Sequence, residues 1–281
     1  MLDQRILITG GTGFLGTTLV ERLYQYNHIR VVARNEGKLI QLKEKYPKIE
    51  ICPGDIADPF VCKQACINID GILHLAGFKH VGLAEKFTKE NIATNVIGSQ
   101  NLLDCTLQNE IYFIVGISTD KAAQVSGSYG ASKLLMERLF RQYEQINTKC
   151  AYRIVRYGNV LYSTGSVVPK WRSIIENGGT ITATDLKATR FFWTVNEAIN
   201  LIADSLENAK DSSPYCPSMK SIRMYDLLEA LVNKYGRHGT TIPVEEIGLQ
   251  PGENLHEKIL ENGPYSNEVE QFTTEEIMGM I

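Results

Sequence analysis

No stretch of this chain approaches the roughly 20 consecutive apolar residues that a bilayer-spanning helix needs. Its opening, Met1-Leu-Asp-Gln-Arg-Ile-Leu-Ile, is a charged lead into a short strand and not a secretory leader. These absences predict a cytoplasmic protein with no membrane partner. Charge of one sign is missing too: 29 basic and 32 acidic residues leave a net charge of −3. Without a basic stripe nucleic acid is excluded as an expected partner, and a small molecule is favoured. The six cysteines, at positions 52, 62, 66, 105, 150 and 216, form no paired CxxC motifs and have no ordered histidine partners. Neither a disulfide nor a metal site is expected from them, and they read as small buried hydrophobes. Repeats and low-complexity segments are lacking, and the last dozen residues, rich in Glu and Thr, read as a loosely held tail.

What is present begins with size: 281 residues, 43% of them hydrophobic, suffice for one large domain or two coupled ones. Arg5 to Gly16 reads as a strand, a turn carrying Gly10, Gly13 and Gly16, and the start of a helix running to Tyr26. A second strand follows at Ile29–Ala33. In that context the turn is a dinucleotide fingerprint. Its glycines let the backbone approach a pyrophosphate, and the helix N-terminus receives the negative charge. Thr12, Phe14 and Leu15 belong to the same turn.

At the end of the second strand, where a free ribose 2′-hydroxyl would meet Asp or Glu, stands Arg34. A guanidinium pairs with a 2′-phosphate, which favours NADP over NAD; the alternative is an exposed arginine with Glu36 serving the ribose. Asp55, with Ile56 beside it, emerges from a third strand where the adenine should lie. A fourth strand, Gly71 to Gly77, carries Leu75, Ala76 and Gly77 to the cofactor. Residues 91–109 show helical periodicity through Ile92, Val96, Leu102, Leu103 and Leu107, with Asn95 breaking the apolar face. Asn95 is either a packing amide or a polar relay near Tyr129.

The stretch that concentrates the chemistry is Ser118-Thr-Asp-Lys-Ala122, followed by Tyr129-Gly-Ala-Ser-Lys133. An apolar run, Ile111 to Ile117, leads into it as a buried strand. Asp120 and Lys121 therefore fall just past a strand end, where open α/β sheets bind ligands. From Tyr129 the apolar spacing is helical, which puts Tyr129 and Lys133 four apart on one face. An adjacent ammonium should favour the phenolate, giving a base near neutral pH. Strands and helices alternate through residue 157, which predicts an α/β fold: a Rossmann-type doubly wound parallel sheet. Beyond Gly158 the pattern is less regular and reads as a smaller, discontinuous α/β substrate-binding cap. The expected partition is 1–157 with about 190–208 for the cofactor domain, and 158–189 with 209–281 for the cap.

The Thr9–Gly16 turn and Tyr129-x-x-x-Lys133 resemble the extended short-chain dehydrogenase/reductases. Ser118-Thr-Asp-Lys-Ala122, Lys79 within His74–Val81, Arg156–Val160, Gly165–Pro169, Thr189–Trp193 and Pro251–Glu257 are similar to the inverting UDP-N-acetylglucosamine 4,6-dehydratases. The resemblance implies a lyase that oxidises the sugar C4 hydroxyl, removes the C5 proton, protonates the departing C6 oxygen and returns hydride to C6. Its product would be a UDP-4-keto-6-deoxy-L-hexosamine for polysaccharide biosynthesis, and its NADP would be regenerated in each turnover. The roles implied are C4 oxidation for Tyr129 with Lys133, C6 protonation for Asp120, and the C5 proton for Lys121. Lys79 would meet both cofactor and substrate, while Thr119, Asn159, Val167, Arg190 and Glu253 would contact the nucleotide sugar. Two positions depart from the family: Gln250 stands where Arg is frequent, and Gly77-Phe78 replaces an Ala-Leu-like pair. A homo-oligomer is implied as well. A nucleotide-sugar 4-epimerase or 4-reductase needs only Tyr129 and Lys133, and a non-catalytic NADP sensor would need only the cleft.

Overall fold

The computed structural model describes residues 2–237 and 242–281. Alternating apolar side chains explain its central layer. In β1 (Arg5–Thr9) Ile6 and Ile8 face one side and Leu7 the other, and all three are fully buried. A strand buried on both faces must be covered by helices on both. Those helices are α1 (Phe14–Leu23), α2 (Glu36–Lys45) and α3 (Pro59–Ala65), interleaved with β2 (His28–Ala33), β3 (Glu50–Pro53) and β4 (Gly71–His74). Short helices α4 (Val81–Lys86) and α5 (Thr88–Ile92) precede α6 (Gly98–Gln108); then come β5 (Phe113–Thr119), α7 (Ser128–Ile146) and β6 (Ala151–Tyr157).

Beyond β6 follow β7 (Asn159–Val160), α8 (Val167–Asn177), β8 (Ile181–Ala183), β9 (Thr189–Trp193), α9 (Val195–Asn208), which packs back on β6 and α1, and β10 (Pro214–Tyr215), which joins the main sheet. The chain continues with β11 (Ser221–Arg223), α10 (Met224–Tyr235), β12 (Val244–Glu246) and α11 (Thr274–Met280). The main sheet is parallel throughout, in the order β3-β2-β1-β4-β5-β6-β10. The direction of winding reverses between β1 and β4, and a ligand crevice opens beyond the strand ends there. This is the Rossmann-type sheet expected. The cap contains a three-stranded sheet, β11-β9-β7, and the pair β12-β8.

Two local expectations change. The helix read over residues 91–109 is interrupted by a π-helical turn at Ala93–Ile97. The wide turn inserts a residue into the helical register. Asn91 and Asn95 thereby both turn inward, fully buried, while Ile92 and Leu107, two of the apolar marks, face outward. The C-terminal residues are not a loose tail. Thr273 and Glu276 form a reciprocal capping box, and α11 packs on α10 with Ile277 and Ile281 buried. The Thr-x-x-Glu signature was in the sequence.

A buried ion network joins the main sheet to residues 259–261 of the C-terminal part of the chain. Arg156 on β6, fully buried, donates to both carboxylate oxygens of Glu137 on α7, at 2.7 and 2.6 Å. It also reaches Glu261 and the Ile259 carbonyl.

Candidate active site

A cleft opens at the switch point. Gly10 has a φ of +69°, and a Cβ there would stand 2.8 Å from the Ala76 amide nitrogen. Only glycine lets the first turn and the loop after β4 close on each other. Gly13 caps α1 without any side-chain bond, so the amides of the first helical turn face the cleft. A cavity of about 490 Å³ is lined by Gly10, Thr12, Gly13, Phe14, Leu15 and Gly16. Arg34, Asp55, Ile56, Leu75, Ala76, Gly77 and Lys79 continue the wall, and Thr119, Asp120, Lys121, Tyr129, Lys133 and Asn159 close its far end. Arg34 is largely exposed, 3.8 Å from Asp55. Asn35 and Lys38, which the motif reading passed over, join it at that rim. The glycine cradle, the bare helix end and this basic rim fit a dinucleotide phosphate.

Asn95 does not line this cavity. Its Nδ2 donates to the Phe78 carbonyl at 3.0 Å and to Ser132 at 2.9 Å, and its Oδ1 accepts the Phe78 amide at 2.8 Å. It is the packing amide of the two readings, holding the Gly77–Phe78 loop against α7. A second buried chain fixes the same loop. The Ala76 amide donates to Thr9 Oγ1, which lies 2.8 Å from His74 Nδ1, while His74 Nε2 lies 2.8 Å from Ser99 Oγ. Because Ser99 donates to the Asn95 carbonyl, Nε2 carries the imidazole proton. Burial, with Lys133 nearby, pushes His74 down to about 3.

The His74 shift fixes a sign for acid stability. Above the ordinary value of 6.5 the group is neutral in both states and contributes no pH dependence. As pH falls from 6.5 toward 3 the unfolded chain binds the proton and the fold does not, so stability drops by up to about 1.4 kcal/mol per pH unit. Urea midpoints measured between pH 7 and 5 should fall for the native chain, and fall less for His74→Gln.

The end of the cleft that holds Asp120, Lys121 and Tyr129 is built by two elements. Thr119 ends β5 and caps the single 3₁₀ turn Asp120–Ala122, which brings Asp120 and Lys121 round toward α7. Gly130 makes that approach possible, since a Cβ there would lie 2.3 Å from the Lys121 carbonyl oxygen. Asp120 is 1% exposed; its Oδ1 accepts from Thr119 Oγ1 at 2.8 Å and from Lys121 Nζ at 3.1 Å, and its Oδ2 has no partner. On the other side of Lys121 Nζ, at 3.2 Å, lies Glu257 Oε1. Burial alone would lower the Lys121 amine, but Asp120 and Glu257 outweigh it and hold the group above its ordinary value. Glu257 was not singled out from sequence. It closes the Pro251–Glu257 segment that carries the family resemblance, but only Glu253 of that segment was given a role, and nothing local shows that Glu257 meets Lys121.

Tyr129 and Lys133 share a face of α7, but their electrostatics differ from the expectation. Lys133 Nζ donates to the Ile117 carbonyl at 2.8 Å, and burial lowers its amine to about 8. Burial also raises the Tyr129 phenol, more than its Thr119 hydrogen bond and the Lys121 charge lower it. Desolvation therefore wins over the neighbouring cation, and Lys121 is the cation acting on the phenol.

A second cavity, of about 900 Å³, adjoins the first between the sheet and the cap. Lys79, Asn159, Val167, Arg190, Gln250 and Glu253 line it, whereas Thr119 lines the first. Lys79 bridges the two layers by donating to the Thr164 carbonyl at 3.0 Å. Arg190 spends Nη1 on the Thr189 and Leu255 carbonyls, and Glu253 accepts the Gln250 amide.

With this geometry established, a family profile described as "Polysaccharide biosynthesis protein" matches residues 6–279. The chain belongs to that family, within the extended short-chain dehydrogenase/reductases. A Methanocaldococcus jannaschii protein named uncharacterized membrane protein MJ1061 is 38% identical over 92% of this chain and 80% of its own length. The UDP-N-acetylglucosamine 4,6-dehydratase (inverting) of Campylobacter jejuni is 32% identical over 90% of this chain and 76% of its own. The X-ray structure of Pen from Bacillus thuringiensis superposes with a TM-score of 0.92 at 29% identity, covering 99% of this chain and 96% of that one. The Rossmann fold is shared with solved nucleotide-sugar dehydratases and epimerases. The relatives support an enzyme of that group. Among the described residues of this chain, no helix is long and apolar enough to cross a membrane.

Proposed function

We propose that this protein is an inverting 4,6-dehydratase of UDP-N-acetylglucosamine, with NADP recycled in each turnover. One observation carries the reading: a carboxylate and an amine, buried side by side at 3.1 Å, end the cofactor cleft beside Tyr129. A simple 4-epimerase or 4-reductase has no use for that pair. NADP, when bound, supplies the hydride acceptor and donor. Tyr129, as the phenolate that the positive nicotinamide of bound NADP would favour against burial, receives the C4 hydroxyl proton; Lys121, as free amine, takes the C5 proton, and Asp120, as the acid, gives a proton to the leaving C6 oxygen.

Resting as an ion pair, Asp120 and Lys121 hold one mobile proton between them. Its transfer along their hydrogen bond converts them to carboxylic acid and free amine, the acid and base that elimination needs. The charged resting pair is thus compatible with the roles assigned.

We assign the first cavity to NADP and the second to the nucleotide sugar, with Lys79 touching both and Asn159, Val167, Arg190 and Glu253 along the sugar nucleotide. The division into a cofactor domain (1–157 with about 190–208) and a cap (158–189 and 209–281) follows this assignment, with β10 lent back to the main sheet. The basic rim of Arg34 and Lys38 favours the 2′-phosphate. Arg34→Ala should weaken NADP relative to NAD by about tenfold, read by fluorescence titration of each cofactor. Leu83, Phe87, Ile92 and Leu135 leave exposed apolar side chains across α4, α5 and α7, which supports a homo-oligomer; sedimentation velocity showing only monomer would oppose it. The reaction itself is tested by mass spectrometry of products from a panel of nucleotide sugars. Loss of one water from the UDP-N-acetylglucosamine mass is expected, and an unchanged mass with a new C4 epimer would favour the epimerase.

A further inference from the structure

Glu257 has no place in the chemistry assigned above, yet its carboxylate is fully buried at the site. A buried carboxylate is costly unless it is paired, and this one is tightly built in. Its backbone exchanges hydrogen bonds with Ser266, whose Oγ accepts the Glu257 amide at 2.9 Å and whose amide donates to the Glu257 carbonyl at 2.8 Å. Oε2 accepts Asn254 Nδ2 at 3.2 Å. Oε1 has no donor in hydrogen-bond geometry and lies 3.2 Å from Lys121 Nζ and 3.9 Å from Arg190 Nε. The groups facing Lys121 and its partner are therefore Asp120 on the same turn, Tyr129 on α7, Arg190 on β9 and Glu257, with Cys216 beyond Asp120.

We propose that Glu257 is a positioning residue for Lys121, holding the amine beside Asp120 and keeping it strongly basic when its proton passes to Asp120. The inference rests on the dehydratase reading. Two carboxylates against Lys121 and Arg190 leave the cluster neutral. When Asp120 takes the proton, the bare amine faces a charge that has not moved, and that charge stabilises the ammonium formed when the C5 proton arrives. No atom is gained or lost in this step; one proton changes place between Lys121 and Asp120.

The test reads the Lys121 amine directly, by NMR of nitrogen-15-labelled lysine, with the resonance assigned by its loss in Lys121→Met. In Glu257→Gln the titration midpoint should fall by about one pH unit or more, and the basic limb of kcat/KM should move with it. Glu257→Asp, which keeps the charge, should restore part of the shift. An unmoved midpoint in a folded Glu257→Gln protein, even with lost activity, would reduce Glu257 to a structural role and overturn the proposal. Should that variant not fold, Glu257→Asp decides: its shorter arm draws the charge away from Lys121, so the midpoint must fall by a smaller amount, and an unmoved midpoint overturns the proposal. Dehydration by the unsubstituted protein is scored separately, so failure of the dehydratase reading is distinguishable from failure of this one.

Discussion

Lys121→Met should lower the rate of dehydration by about a hundred- to ten-thousand-fold while cofactor affinity stays within a few-fold, because in the proposed reaction the lysine handles a proton and it does not line the phosphate cradle. The side chain is 12% exposed, between Asp120 at 3.1 Å and Glu257 at 3.2 Å. Removing the cation takes away the ammonium that separates the Asp120 and Glu257 carboxylates in this site. Asp120→Asn should cost a similar factor. The double variant should cost little more than either single one, since the pair works with one shared proton and acts as a unit. Single-turnover rates of the three variants check this. Additive losses would mean that the two residues act independently.

Arg156→Met should destabilise the fold by about 3–5 kcal/mol, the range for breaking a buried ion pair by removing one partner. Arg156 is fully buried and divides its donors among Glu137, Glu261 and the Ile259 carbonyl. Glu137 would remain buried with Ser118 as its hydrogen-bonding neighbour. The damage should reach the site from two sides: Ser118 immediately precedes Thr119 and Asp120, and Ile259 to Glu261 continue the segment that carries Glu257. Urea unfolding measures the loss. Arg156→Met combined with Glu137→Leu should recover part of it, because no unpaired carboxylate is then left in the core. A shift in midpoint worth less than about 1 kcal/mol, the scale of an exposed pair, would refute the role given to this network.

The sequence made the frame of this protein legible where a local pattern corresponds to a local constraint. Glycines at 10, 13 and 16 need only their own turn to be understood, and strand-helix alternation through residue 157 leads directly to the parallel sheet. Asp120, Lys121, Tyr129 and Lys133 lie within 14 consecutive residues, and one turn and one helix bring them together. Long-range pairing was not legible. Glu257 reaches Lys121 only after the cap has folded, and nothing in its neighbours announces that. The outward face of Ile92 was hidden because a helical period assumes regular turns, and the π turn at 93–97 offsets Ile92 from Leu102 and Leu103. The Tyr129 phenol was expected to fall because a cation is close in sequence. Burial, a three-dimensional property, sets the opposite direction, and the Lys133 amine is turned to the Ile117 carbonyl.

Elimination through Lys121 makes one demand that neither epimerisation nor simple reduction at C4 shares: the C5 hydrogen must leave as a proton. Incubating the protein with UDP-N-acetylglucosamine and NADP in deuterated water, then reading the product by NMR and mass spectrometry, tests this directly. The account predicts loss of water, a C4 ketone, a C6 methyl group, and deuterium at C5 in the inverted L-configuration. A product that keeps its C5 hydrogen and its C6 hydroxyl would contradict it.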